Sequence, residues 1–194
     1  MIRVERLQGE ALTTALAHVA RLRIEVFRAW PYLYDGDMAY EEAYLRVYRD
    51  NPRAILVAAF DGDRLVGAST GAPMAEHDDE FGAAFTDAQP PMSEVFYCAE
   101  SVLLPAYRGQ GIGHRFFDMR EDHARALGFA YSAFCAVSRP TDHALRPREY
   151  RPLDPFWRKR GYTPIDGAVA RFVWKDIDQP GETKHNLQFW MRAL

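Results

Sequence analysis

Hydrophobic and polar positions nearly alternate over the first seven residues (Ile2, Val4, Leu7), which predicts a first strand over 1–7. The period then lengthens. Leu12, Leu16, Val19, Leu22 and Val26 recur at helical spacing, predicting an amphipathic helix over 10–29 that Pro31 ends. A loop over 31–38 leads into a second helical stretch near 40–49, with Tyr44, Leu45 and Tyr48 on one side. Residues 54–60 form an unbroken apolar run, as a buried strand does. Strand character resumes over 65–74 after Asp61-Gly62, a hairpin dipeptide. The polar stretch 75–93 carries Glu76, Asp78, Asp79, Glu80 and Asp87; its length predicts a functional lid or a short helix.

Residues 94–104 read as a strand closed by Pro105, and a glycine-rich turn over 108–113 opens a helix over 112–127. Ile112, Phe116, Met119, His123 and Leu127 share one face of that helix, and Gly128 stands at its C-terminal end. An apolar strand over 130–137, a Pro- and Arg-rich connection over 139–153 and a short helix over 154–160 follow. Strands near 169–175 and 186–193 finish the chain. The order β-α-α-β-β-β-α-β-α-β-β predicts one α/β domain over 1–194: a mixed sheet with helices on both faces.

Composition narrows the partners. Hydrophobic residues at 48% and a formal charge of −3 fit a globular domain with no global attraction to nucleic acid or to an anionic membrane. The first residues mix acid and base without an apolar core, and no uncharged stretch approaches the ~20 residues a spanning helix needs, so a cytoplasmic protein is expected. Its two cysteines, Cys98 and Cys135, make neither a disulfide framework nor a zinc site. His77, His114, His143 and His185 show no ligand spacing, and no metal is expected.

The informative segment is Leu103-Leu104-Pro105-Ala106-Tyr107-Arg108-Gly109-Gln110-Gly111-Ile112-Gly113-His114. Its glycines let the main chain turn tightly and approach a ligand closely. The first N–H groups of the following helix lack intrahelical partners, and with the helix dipole they favour a phosphate or pyrophosphate. A P-loop would place Lys-Ser/Thr after Gly113, where His114-Arg115 stand, and a dinucleotide fingerprint would want Gly or Ala where Phe116 stands.

The whole segment closely resembles the pyrophosphate motif of the GCN5-related N-acetyltransferases: Arg or Gln, two residues, Gly, one residue, Gly or Ala. Arg108, Gly111 and Gly113 fill that pattern, with Pro105 at a position often proline. The aromatic pair Phe156-Trp157 followed by Gly161-Tyr162 resembles a second family mark, and the order of elements matches along most of the chain. The resemblance implies a central, mostly antiparallel mixed sheet of about seven strands with helices on both faces. It implies an acyl-CoA, acetyl-CoA first, as acyl-donor cosubstrate, its pyrophosphate held by main-chain N–H groups of Arg108, Gly109, Gln110, Gly111, Ile112, Gly113 and His114. The strand end Val102, Leu103 and Leu104 is implied to pair with the pantetheine amides and to polarise the thioester carbonyl.

Direct attack of an amine on a thioester needs a base for the ammonium proton and an acid for the thiolate. Glu100 is the first candidate base, with Tyr97 second, both on the strand before the motif. The alternatives are a strand carboxylate paired with an Arg and an ordinary core aromatic. Many relatives carry a Tyr acid where this chain has Trp157, whose indole does not titrate usefully. Tyr150 is a substitute from the neighbouring loop, and water is another; Tyr162 is expected in the core. This departure keeps open a non-catalytic acyl-CoA-sensing domain, and composition alone allows another nucleotide-binding α/β enzyme.

On the acceptor side, Trp30, Tyr32, Tyr34, Asp35, Asp37, Tyr40, Glu41 and Glu42 crowd one connection, as an amine site would; Tyr32, Tyr34 and Asp35 are the expected contacts, and the acidic 76–80 stretch could add to the field. Arg139, Arg146, Arg148 and Arg151 argue for an acidic acceptor, for CoA phosphates or for pairing with the acidic loops. The expected acceptor is a small amine, with peptide or protein amines and an antibiotic as alternatives. A homodimer is common in such proteins, and no interface is legible here.

Overall fold

A computed structural model describes residues 1–77, 81–85 and 89–194. Eight strands form one mixed sheet: β1 (Ile2–Leu7), β2 (Ile55–Asp61), β3 (Arg64–Pro73), β4 (Val95–Tyr97), β5 (Ser101–Leu103), β6 (Tyr131–Val137), β7 (Thr163–Lys175) and β8 (Glu182–Ala193). The path is β1-β2-β3-β4-β6-β8-β7, with β5 also on β3. All pairings are antiparallel except β4 with β6. Among the described residues four α-helices accompany the sheet: α1 (Gly9–Phe27), α2 (Met38–Asp50), α3 (Ile112–Ala126) and α4 (Asp154–Lys159).

The predicted elements are present, and where their extents differ the reason is physical. The Asp37 side chain accepts from the Tyr40 N–H at 2.8 Å, so α2 starts earlier than its apolar positions suggested. Strand β7 begins at Thr163 rather than near 169, because β8 pairs with it on both sides of an irregularity between Pro164 and Val169. The single strand expected over 94–104 is two, β4 and β5, parted at residues 98–100; counting them together restores seven. On α3 the buried face is Ile112, Phe116, Phe117, Arg120, Glu121 and Ala124, while Leu127 caps the helix and is exposed. In the polar connection the described residues form 3-10 turns at Met74–Glu76, Gly82–Ala84 and Met92–Glu94. Asp78, Asp79 and Glu80, expected to add to the acidic field, lie outside the described residues, as does Asp87.

Residues 55–59 of β2 and 66–73 of β3 are buried without a break. An antiparallel strand buried at consecutive positions is covered on both faces, and the helices do this. Helix α1 packs on β3, β5 and α2, and α3 packs on β1, β2, β3 and β5. Among the described residues no helix is long and apolar enough to cross a membrane, and no group of three His, Cys, Asp or Glu side chains could hold a metal ion.

One buried ion pair ties distant connections of the chain together. Arg139 pairs with Asp176, and its Nε donates to the Pro31 carbonyl at 2.8 Å, joining the connection after α1 to the chain after β7. Trp174 Nε1 donates to the same Asp176 at 2.9 Å. Asp176→Ala leaves the Arg139 charge buried and unpaired, so urea unfolding is expected to show a loss of about 3–5 kcal/mol. A loss below about 1 kcal/mol would refute that anchoring role.

Candidate active site

The site begins with a shift of register. Strand β4 pairs with β3 as Ala72↔Tyr97, and β5 pairs with it as Ser69↔Ser101, one residue out of step. The extra residue is accommodated at Thr70, which receives the Ala99 N–H at 3.1 Å but donates to the Glu100 carbonyl at 3.1 Å. This is a β-bulge, and it bends the strand away from its next neighbour. Parallel pairing with β6 ends at the Cys98 N–H, which donates to the Ala133 carbonyl at 2.8 Å. Beyond that point β5 pairs with β3 and the second half of β6 with β8, so the two strands part, and the gap between them is the candidate cleft.

Alternation in the ladder decides which backbone groups face the cleft. The Leu104 N–H donates to Val66, and Glu100 is the partner of Thr70, so even-numbered residues of this stretch turn toward β3. Ser101 and Leu103 turn the other way. Of the three residues expected to meet the pantetheine arm, Leu103 therefore offers its main chain to the cleft, whereas Val102 and Leu104 serve the sheet.

The glycine-rich turn lies just past this strand. A 3-10 turn, Pro105–Tyr107, leads to extended Arg108, whose Nε donates to the Leu103 carbonyl at 3.3 Å. Gly109 and Gly111 have φ of 76° and 79°, in the left-handed region, and Gly111 is the N-cap of α3. A Cβ added at either would meet nothing within 4 Å, so open space lies before the turn. The first helical bond runs from Arg115 N–H to the Gly111 carbonyl at 3.2 Å, which leaves the N–H groups of Ile112, Gly113 and His114 ahead of the ladder. Free donors, positive dipole end and empty space fit a pyrophosphate. Gln110 bonds back to the Ala106 carbonyl, and the His114 ring is held by Arg160 at 3.2 Å and faces Phe156, so main chain rather than these side chains remains for the anion.

Behind the bulge, α1 and α2 build a buried ionic cluster. Glu100 is 7% exposed; its Oε2 accepts from Arg23 Nη1 at 2.8 Å and from the Tyr44 hydroxyl at 3.0 Å. Arg23 also pairs with Glu41, which is fully buried. One guanidinium thus serves two carboxylates, and the Oε1 atoms of Glu41 and Glu100 are buried without a hydrogen-bond partner among the described residues. Arg23 lies over the Tyr44 ring at 4.4 Å, and the Tyr44 hydroxyl meets that of Tyr48 at 3.0 Å. Glu100 is thus paired with an Arg, the alternative weighed against its role as base, and keeps one buried oxygen without a partner among the described residues.

The other candidates separate. The Tyr97 hydroxyl meets Cys135 Sγ at 3.0 Å, and its ring packs on Phe81, His77 and Phe189; burial, with Cys135 beside it, pushes the phenol well above its ordinary range. Burial likewise pushes the Cys135 thiol up to about 12. Tyr150 sits edge-on to Trp30 at 5.9 Å under Arg146, with its phenol raised by burial. Trp157 packs on Phe134 and Trp190 at 5.0 and 5.2 Å, and Tyr162 is fully buried, its hydroxyl 2.7 Å from Ser132 Oγ.

On the acceptor side, burial raises the Tyr32 phenol, and its ring packs on Phe27 at 4.4 Å, over which Arg23 of the cluster lies at 5.1 Å. Tyr34 bridges Asp176 through its backbone, and its phenol is raised by burial and then by Glu41. The Asp35 carboxylate is spanned by Lys175 at 2.8 Å and Arg28 at 3.1 Å, which hold it below the usual carboxylate range. Arg139 pairs inside the fold with Asp176, just after β7 and outside the acidic loops named as partners for the Arg-rich connection. Arg23, Tyr44 and Tyr48 were missing from the expected site, and Glu41 stood there only as one of the acidic residues crowding the connection. Their signal was a charged residue on each apolar stripe, Arg23 four after Val19 and Glu41 four before Leu45.

Residues 18–147 match the model of the acetyltransferase (GNAT) family, and the chain belongs to that family. Solved structures of the same fold include ribosomal-protein-alanine N-acetyltransferase from Brucella melitensis, 11% identical, covering 99% of both chains at a TM-score of 0.64. The yncA protein of Salmonella typhimurium, solved with its cofactor acetyl-CoA, is 12% identical and covers 100% of this chain and 94% of its own at 0.62. The PaiA N-acetyltransferase of Thermoplasma acidophilum, in complex with coenzyme A, is 12% identical and covers 100% and 99% at 0.57. No curated protein matches this sequence.

Proposed function

We propose that this chain transfers an acetyl group from acetyl-CoA to a primary amine of a small molecule. The N-terminal turn of α3 would hold the pyrophosphate through main-chain N–H groups, and the cleft edge at Leu103 would receive the pantetheine arm. Acetyl-CoA supplies the activated acyl group as a thioester. The ammonium proton goes to Glu100, the amine nitrogen bonds the acyl carbon as the carbon–sulfur bond breaks, and coenzyme A leaves as a thiolate that takes a proton from water.

The observation that carries this reading is the buried Oε1 of Glu100, without a hydrogen-bond partner among the described residues, at the bulge where the strands part. Two carboxylates against one guanidinium give the cluster a formal charge of −1, which favours a cationic acceptor among the phenols of Tyr32, Tyr44 and Tyr48. A non-catalytic acyl-CoA-binding domain is the second reading, favoured by Trp157, whose indole packs on Phe134 and Trp190 where many relatives carry a phenol.

Calorimetric titration is expected to show acetyl-CoA binding at micromolar strength with no response to ATP or NADH. Binding of ATP or NADH in place of acetyl-CoA would reject the coenzyme assignment. Thiol release with a panel of amines then separates the two readings: release supports catalysis, and binding without release supports the sensor.

A further inference from the structure

Arg120 lies eight residues into α3 from Ile112 and is 1% exposed, yet no carboxylate pairs with it among the described residues. Its Nη1 donates to the Thr70 carbonyl at 3.1 Å and to the Glu100 carbonyl at 3.0 Å, and its Nη2 donates to Ser101 Oγ at 2.8 Å. Its Nε returns to the Phe116 carbonyl of its own helix at 3.2 Å. Three of these four bonds grip the bulge itself. Both carbonyls already accept a main-chain N–H, from Ala99 and from Thr70, so the guanidinium uses their second lone pairs.

A buried charge of this kind is costly, and an ordinary ladder needs no such clamp. What it joins is specific. The helix that carries Arg120 begins at the turn assigned to the pyrophosphate, and the bulge carries Glu100 and opens the cleft assigned to the acyl-bearing arm. Eight residues of helix span about 12 Å of rigid rod. We infer that Arg120 is a positioning residue that fixes these two half-sites at the separation one coenzyme A molecule requires. The inference rests on the coenzyme A reading above. A ligand joined from two parts binds more tightly than either part only when the geometry lets both engage at once. Loosening the clamp therefore weakens the whole ligand while sparing the half that touches the turn alone.

The test titrates wild type and Arg120→Lys with coenzyme A and with its nucleotide half, adenosine 3′-phosphate 5′-diphosphate. The nucleotide half is expected to bind both proteins within about 2-fold, while coenzyme A loses about 10-fold in the variant. Equal loss for both ligands means general damage to the fold, and loss for neither means no positioning; either result overturns the inference. Ser101→Ala removes one exposed hydroxyl and covers failure of the lysine variant to fold. It is expected to weaken coenzyme A by about 3-fold with the nucleotide half unmoved, and unchanged coenzyme A affinity overturns the inference too. A wild-type protein that binds neither compound removes the underlying coenzyme A reading instead.

Discussion

Gly111→Val is expected to weaken coenzyme A binding by about 100-fold or more while the protein still folds, a change of about 2.7 kcal/mol at the lower bound. Two effects add. At φ 79° a β-branched residue is strained by about 1–3 kcal/mol, so the turn either relaxes or stays and destabilises the start of α3. The new side chain also enters the space before the free N–H groups, where nothing of the protein lies within 4 Å of a Cβ. That open space is why folding is spared: the ligand collides with the added methyls, and the core does not. Calorimetry with coenzyme A, alongside circular dichroism, reads both halves of the expectation. Unchanged affinity in a folded variant would remove the turn as the pyrophosphate site.

The turn was legible because its chemistry is local. Gly109, Gly111 and the following helical period lie within a dozen residues, and main-chain donors need no distant partner to be recognised. The hairpin at Asp61-Gly62, the unbroken apolar run of β2 and the stripe of α1 were legible for the same reason. The bulge was not. An extra residue in a strand shows only against its neighbour, and the register of β3 against residues 95–103 is a property of two segments. Nor could the backbone alternation be assigned until that register was known, which is why Val102 and Leu104 stood beside Leu103 as expected cleft residues.

The ionic cluster was half visible. Arg23 and Glu41 interrupt apolar stripes, which marks a buried charge in need of a partner. Sequence alone does not say that the two partners meet, or that Glu100 joins them from the sheet. Asp35 shows what a loop sequence hides: the carboxylate read as an amine contact has a partner in Lys175, distant in sequence. Composition indicates which charges exist, and only the fold indicates which remain unspent.

Glu100→Gln is expected to lower kcat by about 10²–10⁴-fold while the dissociation constant of acetyl-CoA stays within about 2-fold. The amide keeps the shape of the carboxyl and its carbonyl oxygen can still accept from Tyr44, but it takes no proton from an ammonium. Stability changes little for a reason particular to this cluster. Arg23 retains Glu41, so the variant buries one cation against one anion, where wild type buries one against two. The loss of one charged hydrogen bond is expected to cost less than about 3 kcal/mol. Thiol release at saturating donor measures the rate, and calorimetry measures the binding. Equal rates in the two proteins would free Glu100 from the role of base and leave it as a strand carboxylate tying β5 to α1. A parallel fall in rate and donor affinity would say instead that the carboxylate holds the cleft open, with the proton going elsewhere.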